Sequence, residues 1–209
     1  MKNLFIGGSS QIAKDISSKI TNVDSISQRK TKGYKKNFKI KKYNKKNLKN
    51  IFTKINHKYD NILIFNGKYD DSSFSNFDSK LFYKSLFINL ELPLICANEI
   101  IKKNILKENG SIYFISSISA EKNQIGSAYY SLSKNALNFS AKILSNEQKK
   151  RNIRINVISL GLINNEMGRL TLSYMNKKNL KIIKKKKYID GVIKIIKNKK
   201  INGKKYLII

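Results

Sequence analysis

The feature of this chain that most constrains its fold is a regular alternation of short apolar runs with longer amphipathic runs. The short runs have the length of strands, and the longer runs carry apolar side chains at the spacing of one helix face. Strands are predicted at residues 3–6, 23–27, 38–43, 61–65, 111–115, 153–159 and 206–209. Helices are predicted at residues 11–20, 48–57, 79–105, 128–151 and 188–197. This alternation is typical of an α/β fold with a mostly parallel sheet.

The chain is expected to form one domain over residues 1–209. Its 209 residues suffice for one sizeable core, and no repeat, proline-rich linker or change in composition divides it. No apolar run approaches the ~20 residues that a membrane-spanning helix needs. The apolar run at residues 4–6 is too short for the core of a signal peptide. We therefore expect no membrane span.

The chain contains one cysteine, Cys96, and one histidine, His57. A single cysteine excludes an internal disulfide and fits a reducing compartment, so we expect a cytoplasmic protein. His57 lies in a polar helical stretch and is predicted to be a solvated structural residue without a partner. With these two side chains alone, the sequence predicts no metal site.

A formal net charge of +30 suggests nucleic-acid binding as one function. Nearly all of this charge is lysine, and Asn, Ile, Tyr and Phe are also abundant, which is the set of residues that A/T-rich codons encode. The lysines are scattered along the chain, so codon bias accounts for them without nucleic-acid binding. We therefore do not expect nucleic acid as a partner, and we expect the positive field to attract anionic cofactors and acidic partners.

The first predicted strand leads directly into a turn of small residues, and a helix follows. The turn and the start of the helix comprise Gly7, Gly8, Ser9, Ser10, Gln11 and Ile12. A small-residue turn before a helix lets a diphosphate approach backbone N–H groups and the positive end of the helix dipole. Gly7 and residues 9–12 are therefore predicted to bind a dinucleotide diphosphate, and an ordinary tight turn is the alternative.

The second predicted strand ends without an acidic residue. A cofactor that lacks a 2′-phosphate usually meets an Asp or Glu there, which binds the ribose hydroxyls. Asp24 lies inside the strand, too early for this role, whereas Arg29 and Lys30 follow the strand end. These cations suit a ribose 2′-phosphate, so the sequence favours NADP(H) over NAD(H), with Arg29 as the cofactor contact.

A tyrosine and a lysine lie four residues apart at Tyr130 and Lys134. On a helix this spacing places both side chains on one face. A lysine cation beside a phenol favours the phenolate and lowers the tyrosine pKa, so that the phenol can act as general acid or base near neutral pH. Ser117 lies thirteen residues before Tyr130, just past a predicted strand. Chance is the alternative, because the chain is rich in both Tyr and Lys.

Together these motifs resemble the classical type of the short-chain dehydrogenase/reductase family, over residues 4–209. The segment I-G-G-S-S-Q-I-A resembles the family's T-G-x-x-x-G-x-G loop, and D-N-I-L-I-F-N-G resembles its D-x-L-V-N-N-A-G strand. The segments G-S-I-Y-F-I-S-S and A-Y-Y-S-L-S-K match its serine strand and its Tyr-x-x-x-Lys helix. Further along, I-R-I-N-V-I-S-L-G-L-I-N-N-E-M resembles the R-V-N-x-I-x-P-G-x-I-x-T segment that covers the nicotinamide, and I-N-G-K-K-Y-L-I-I resembles the start of the closing strand.

The resemblance implies a Rossmann-like doubly wound sheet of about seven strands and an NAD(P)-dependent oxidoreductase that acts on CH–OH or C=O groups. It implies a catalytic tetrad of Asn89, Ser117, Tyr130 and Lys134. Tyr130 would exchange a proton with the substrate oxygen, Ser117 would hydrogen-bond that oxygen, and Lys134 would tune the tyrosine and bind the ribose. Asn89 would hold a water that links Lys134 to solvent. Cofactor contacts are also implied at Asn66, Gly67, Tyr130, Lys134, Gly161, Ile163 and Asn165. The family spacing selects Tyr130 over Tyr129, and Ser117 over Ser116.

The chain departs from the family pattern at several positions. Gln11 and Ala13 replace loop glycines, Leu160 replaces a proline and Asn165 replaces a threonine. The Gln11 side chain is expected to lie near the diphosphate. About ten residues join the second and third strands, so the helix between them is expected to be shortened to a loop. A short substrate lid is expected around residues 167–188.

The substrate is left open among several classes. An NADPH-dependent carbonyl reductase or alcohol dehydrogenase leads, and it could resemble a 3-oxoacyl-carrier-protein reductase. The alternatives are a sugar or sugar-nucleotide oxidoreductase of surface-polysaccharide synthesis, and a non-catalytic cofactor-binding protein on the same fold. The resemblance also implies a homodimer or homotetramer built on helices 79–105 and 128–151. The apolar residues Ala136, Phe139, Ile143 and Leu144 fit that interface and equally fit packing on the sheet.

Overall fold

A computed structural model describes residues 1–122, 125–174 and 182–209 of the chain. In this part of the chain seven parallel strands form one sheet, in the order β3-β2-β1-β4-β5-β6-β7. The strands are β1 (Asn3–Ile6), β2 (Val23–Ser27), β3 (Lys36–Lys39), β4 (Tyr59–Ile64), β5 (Leu106–Ser117), β6 (Arg154–Leu160) and β7 (Lys205–Ile208). The main helices are α1 (Gln11–Ser17), α2 (Lys45–Phe52), α3 (Ser79–Leu86), α4 (Leu92–Lys102), α5 (Ala128–Glu147), α6 (Glu166–Tyr174) and α7 (Lys185–Lys197). The predicted doubly wound parallel sheet of seven strands is confirmed.

Hydrophobic cores cover both faces of the sheet, because successive strand side chains point to opposite sides. In β1, Leu4 and Ile6 join the core beneath α2, α4 and α5, whereas Phe5 joins the core beneath α1 and α7. The strand order reverses beside β1, which pairs with β2 on one side and β4 on the other. In such sheets the crevice at this reversal, beyond the carboxyl ends of the strands, is where ligands bind.

Several element boundaries differ from the prediction. The predicted helix at 79–105 is divided into α3 and α4 by a π-helical turn, Phe87–Glu91. The third strand lies at Lys36–Lys39 instead of 38–43, and α6 was not predicted. The connection from β2 to β3 contains turns and no helix, as expected. The predicted lid at 167–188 begins in α6 and ends in α7, while its middle, 175–181, lies outside the described residues. None of the described helices combines the length and apolarity that crossing a bilayer requires.

His57 has a partner, contrary to the prediction. Its Nε2 lies 3.0 Å from Oδ2 of the buried Asp24, and the Tyr59 hydroxyl donates to the same oxygen at 2.9 Å. Lys2 Nζ lies 3.8 Å from that carboxylate. The cluster forms because β2 and β4 flank β1 and start at the same sheet edge, a neighbourhood that periodicity along the chain does not reveal.

Candidate active site

A cavity of about 350 Å³ opens at the carboxyl ends of the central strands. It contains three of the four side chains of the predicted tetrad, namely Ser117, Tyr130 and Lys134. Five other predicted cofactor contacts line it as well: Ile12, Gly67, Gly161, Ile163 and Asn165. The position agrees with the ligand crevice of parallel α/β sheets, where loops from several strands converge.

Ser117 and Tyr130 come together because the carboxyl end of β5 lies close in space to the first turn of α5. Ser117 is the last residue of β5, and Tyr130 lies in the first turn of α5. Burial raises the pKa of Tyr130 to about 12, while a hydrogen bond with Ser117 acts in the opposite direction. The prediction that the pKa of Tyr130 is lowered is therefore wrong for this structure. At neutral pH the phenol retains its proton, so it is ready to act as an acid.

Lys134 lies one helical turn after Tyr130 and is almost completely buried. Its Nζ donates to the backbone carbonyls of Asn66 at 3.3 Å and Ile115 at 3.1 Å, beyond β4 and within β5. The same Nζ is 5.9 Å from the centroid of the Tyr130 ring. Burial lowers the pKa of Lys134 to about 8. Its ammonium binds main-chain oxygens instead of the phenol, which explains why burial dominates the pKa of Tyr130.

Asn89 does not line the cavity but lies directly behind it, within the π-helical turn. Its Oδ1 accepts from the Lys68 backbone N–H at 2.8 Å, and its Nδ2 donates to the Lys68 carbonyl at 2.9 Å and to Ser85 Oγ at 3.1 Å. The side chain thus clamps the loop that follows β4. A Cβ added at Gly67 would lie 3.0 Å from Lys134 Nζ and 3.3 Å from Asn89 Oδ1. Asn89 and Lys134 therefore converge on the backbone of Gly67. π-Helical turns occur frequently at functional sites.

The small-residue turn after β1 lies beside the end of β4. Gly7 has φ +82°, and a Cβ there would lie 3.3 Å from the backbone N of Asn66. Ser10 caps α1, because its Oγ accepts from the N–H of Ala13 at 3.2 Å. Within the described structure, the buried Oδ1 of Asn66 has no hydrogen-bond partner. An open turn beside an unpaired buried oxygen fits the polar part of a dinucleotide. Ser9 lies in this turn, partly exposed.

Gln11 does not obstruct this turn. Its side chain is exposed, and its Nε2 donates to Asp15 Oδ1 one helical turn later, at 3.0 Å. The expectation that this side chain lies near the diphosphate finds no support, since Asp15 holds it along the helix. Asp15 in turn accepts from the Tyr188 hydroxyl at 2.5 Å, which ties α1 to α7.

Arg29 is exposed and lies two residues beyond the end of β2. The connection from β2 to β3 reaches that turn through Tyr34, whose hydroxyl donates to the Gly8 carbonyl at 2.6 Å. Asp24 is engaged by His57 and Tyr59 at the other end of the strand, so it is not available to a ribose. The end of β2 is therefore followed by the cation Arg29, and no carboxylate of the described chain is available there to bind a ribose.

The segment after β6 forms another wall of the cavity. Gly161 donates through its N–H to the Ile208 carbonyl at 2.8 Å, and a Cβ at Gly161 would lie 2.9 Å from Ile183 Cδ1. Asn165 Oδ1 accepts from the N–H of Gly168 at 2.8 Å, in the first turn of α6. Asn165 thus starts the helix that begins the predicted lid.

The two adjacent tyrosines occupy different environments. Tyr129 is fully buried, and its hydroxyl accepts from the Asp78 N–H at 2.7 Å and donates to the Ser73 carbonyl at 3.3 Å. Tyr130 lines the cavity instead. The geometry agrees with the choice of Tyr130 from its spacing. Ser116 and Ser117 both line the cavity, and Ser117 is the one whose hydroxyl lowers the pKa of the Tyr130 phenol against the effect of burial.

Several lining residues were not identified from the sequence. Tyr69 packs edge-on against Tyr130, with ring centroids 5.6 Å apart. Ile118, Lys122 and Met167 also line the cavity. These residues carry no motif in the sequence, because they enter the site through loops whose path depends on packing. In the sequence, only their positions could have indicated them, since they lie close to Ser117 or to the segment that resembles the family's nicotinamide-covering segment.

The chain is similar to a family of known proteins. The family model described as short chain dehydrogenase matches residues 7–174. The chain is 39% identical over 82 residues to carbonyl reductase family member 4 of Xenopus laevis, across 39% of this chain and 35% of that protein. It is 35% identical over 125 residues to a 3-oxoacyl-[acyl-carrier-protein] reductase of Rickettsia typhi, across 59% of this chain and 51% of that protein. The chain thus spans between a third and a half of the length of these curated relatives.

Solved structures share the fold over the whole chain. A short chain dehydrogenase family protein from Francisella tularensis subsp. tularensis SCHU S4 superposes with a TM-score of 0.84 at 22% identity, covering 99% of this chain and 96% of that one. A 4-hydroxyisoleucine dehydrogenase complexed with NADH superposes with a TM-score of 0.80 at 23% identity, covering 100% and 96%. At these identities the likeness establishes the fold.

Proposed function

Because this chain belongs to the short-chain dehydrogenase family, we propose that it is an NADPH-dependent carbonyl reductase, which in reverse oxidises an alcohol. In the reduction a carbonyl gains a hydride at carbon and a proton at oxygen, and the reduced cofactor becomes NADP⁺. The observation that carries the proposal is the convergence of Ser117, Tyr130 and Lys134 in one cavity at the carboxyl ends of the sheet.

The protein's part in this reaction is to hold the carbonyl and supply the proton. The protonated Tyr130 hydroxyl donates to the carbonyl oxygen as charge develops there, and Ser117 Oγ donates a second hydrogen bond to the same oxygen. Lys134, fixed by two backbone carbonyls, places a positive charge beside the developing phenolate. Asn89 holds the loop carrying Gly67 against Lys134. When bound, the reduced nicotinamide supplies the hydride.

The matched pair of adjacent tyrosines tests this assignment. Tyr130→Phe removes the proposed acid and is expected to lower kcat at least ~100-fold, since general acid catalysis typically contributes 10²–10⁴-fold. Tyr129→Phe is the control, because its hydroxyl binds only the Ser73 and Asp78 backbone. Reduction of a panel of ketones would be followed by NADPH absorbance. Equal rates for wild type and Tyr130→Phe would contradict the proposal. NADPH binding without turnover of any carbonyl would indicate a cofactor-binding protein instead.

The cofactor would be held by the turn at Gly7, Ser9 and Ser10, by the lysine–tyrosine pair and by the segment from Gly161 to Asn165. The exposed Arg29 and the engaged Asp24 favour a ribose 2′-phosphate. Arg29→Ala is expected to raise KM for NADPH about tenfold and to leave KM for NADH unchanged, because a charge-assisted hydrogen bond to phosphate is lost. Lys41→Ala, another exposed cation, is the control. Equal effects on both cofactors would contradict the preference for NADPH.

The substrate is proposed to be an apolar ketone or acyl chain. Ile118, Leu162 and Met167 line the cavity beyond the tetrad, and such walls suit alkyl groups better than sugar hydroxyls, which would lose hydrogen bonds with water. Relatives named as carbonyl and 3-oxoacyl reductases agree with this choice. Rates on alkyl ketones, 3-oxoacyl thioesters and nucleotide-sugar ketones would be compared. Faster turnover of the nucleotide sugars would contradict it.

We propose that the chain forms a homo-oligomer through α5 in a cytoplasmic setting. Phe139 is 65% exposed and Ile143 is 44% exposed, so these side chains do not pack on the sheet, whereas Leu144 packs against the core. The free Cys96 is buried, as suits a reducing compartment. Phe139→Glu is expected to shift sedimentation towards a monomer. An unchanged sedimentation profile would contradict an α5 interface.

A further inference from the structure

The part of the cavity not assigned to the cofactor has mainly apolar walls. Its apolar walls are formed by Phe65, Tyr69, Ile115, Ile118, Leu160, Leu162 and Met167. Three serines at positions 116, 117 and 119 contribute hydroxyls near the tetrad. The one charged side chain among these described residues is Lys122, which is exposed and therefore lies at the rim.

The charge of Lys122 is not neutralised by its neighbours. The adjacent Glu121 points away from the cavity, because its Oε1 lies 2.8 Å from Lys205 Nζ on β7. No carboxylate of the described chain lies within ion-pair distance of Lys122, and no acidic side chain is among the described lining residues. An unpaired ammonium at the rim of an apolar cavity is a binding partner for an anionic group, and it is partly desolvated once a ligand fills the cavity.

Lys134, the other cation of the cavity, cannot take this role. It is buried, its Nζ is occupied by the carbonyls of Asn66 and Ile115, and it stands at the reacting centre. Lys122 therefore provides the one cation among the described lining residues that a substrate's anionic end can reach from solvent. Ser117 and Lys122 can therefore bind different groups of one substrate. Ser117 would bind the reacting carbonyl, and Lys122, at the rim of the cavity, would bind an anionic group.

We propose that Lys122 binds the carboxylate of the substrate, so that the cavity selects oxo acids: an apolar chain that carries a ketone at the tetrad and a carboxylate at the rim. This inference rests on the proposed carbonyl reductase activity. The apolar walls bury the chain, and Lys122 fixes which end stays outside. Neutral esters and thioesters of the same chain lack the charge that Lys122 recognises.

The test uses a homologous series of straight-chain methyl-ketone carboxylates and the methyl ester of each, with NADPH and the full-length protein. Wild type is expected to favour the acid over its ester about tenfold in kcat/KM at the best chain length, which corresponds to ~1.4 kcal/mol. Lys122→Gln is expected to remove this preference by slowing the acid alone, and Lys122→Arg to keep most of it. Added salt is expected to reduce it as well.

Lys103→Gln serves as the matched control, since Lys103 is an exposed lysine at the end of α4, away from the cavity. An equal loss of acid preference in Lys103→Gln would show steering by net charge and would overturn the inference. A wild-type preference that survives Lys122→Gln, or a preference for the ester, would overturn it while leaving the reductase activity in place. If neither acids nor esters turn over and Tyr130→Phe matches wild type, the proposed function itself fails, and this inference with it.

Discussion

Replacing Lys134 with methionine is expected to stabilise the folded protein and to abolish catalysis at the same time. The ammonium is buried at 3% exposure, and burial lowers its pKa from 10.5 to about 8. A tenfold change in an ionisation constant is worth about 1.4 kcal/mol, so keeping this lysine charged in the folded state below pH 8 costs about 3 kcal/mol. Methionine fills similar space without that cost, although the bonds to the Asn66 and Ile115 carbonyls are lost.

The sign of the pH dependence distinguishes this cost from a packing effect. Between the folded pKa of about 8 and the unfolded value of 10.5, the unfolded state binds more protons at Lys134 than the folded state does. Stability in this window therefore rises with pH. The cost is nearly complete at about pH 7 and falls by about 2 kcal/mol by about pH 9.5. Lys134→Met lacks this change, so the free-energy difference between the two proteins should narrow by the same amount.

Urea unfolding of wild type and Lys134→Met at these two pH values measures the effect. Taking the difference between the proteins removes the titration of the other lysines, which both share. Coincident transitions by far-UV circular dichroism and by tyrosine fluorescence would establish two-state unfolding for each protein. If the free energies of unfolding of the two proteins differ by the same amount at both pH values, within about 0.5 kcal/mol, Lys134 is not the desolvated cation that its contacts describe.

Three further outcomes are expected. The kcat/KM for ketone reduction should fall above about pH 8, because Lys134 then loses its charge; a flat profile to pH 10 would contradict this role. Tyr188→Phe should lower the free energy of unfolding by about 2 kcal/mol, because the hydroxyl bond to Asp15 is lost, whereas Tyr83→Phe, at an exposed site, should change it little. Gly67→Ala should reduce kcat about tenfold while the protein stays folded, because the new Cβ would lie 3.0 Å from Lys134 Nζ and displace it. A wild-type kcat in this variant would show that the loop can move without displacing Lys134.

Much of the fold follows from local patterns in the sequence. Strands β1 and β2 lie where predicted, at Asn3–Ile6 and Val23–Ser27. In β1 this agrees with a short apolar run that a turn of small residues follows. The division of the predicted helix at 79–105 was not foreseeable, since a π-helical turn leaves the apolar spacing on both sides almost unchanged. The helix α6 was not predicted; it begins directly after Asn165, whose Oδ1 accepts a hydrogen bond from the Gly168 N–H.

Some features of the candidate site could likewise be predicted from the sequence, and others could not. The spacing of Tyr130 and Lys134 on one helix face, and the distance from Ser117, are properties of the chain alone. The lowered pKa expected for Tyr130 was wrong, because the burial of its hydroxyl depends on the packing of the surrounding loops. The partner of His57 was missed for a similar reason, since Asp24 lies on β2, far from His57 in the sequence.

The sequence by itself determined the alternation of strands and helices, the order of the motifs and the helical pairing of the tyrosine with the lysine, because each depends on residues a few positions apart. The tertiary structure alone decided which groups are desolvated and which charges meet. It buried Lys134 and Tyr130, turned Glu121 towards Lys205 and left Lys122 at the cavity rim. Protonation and ligand selection depend on solvent exposure and on neighbours from distant parts of the chain, and these are set only when the sheet assembles.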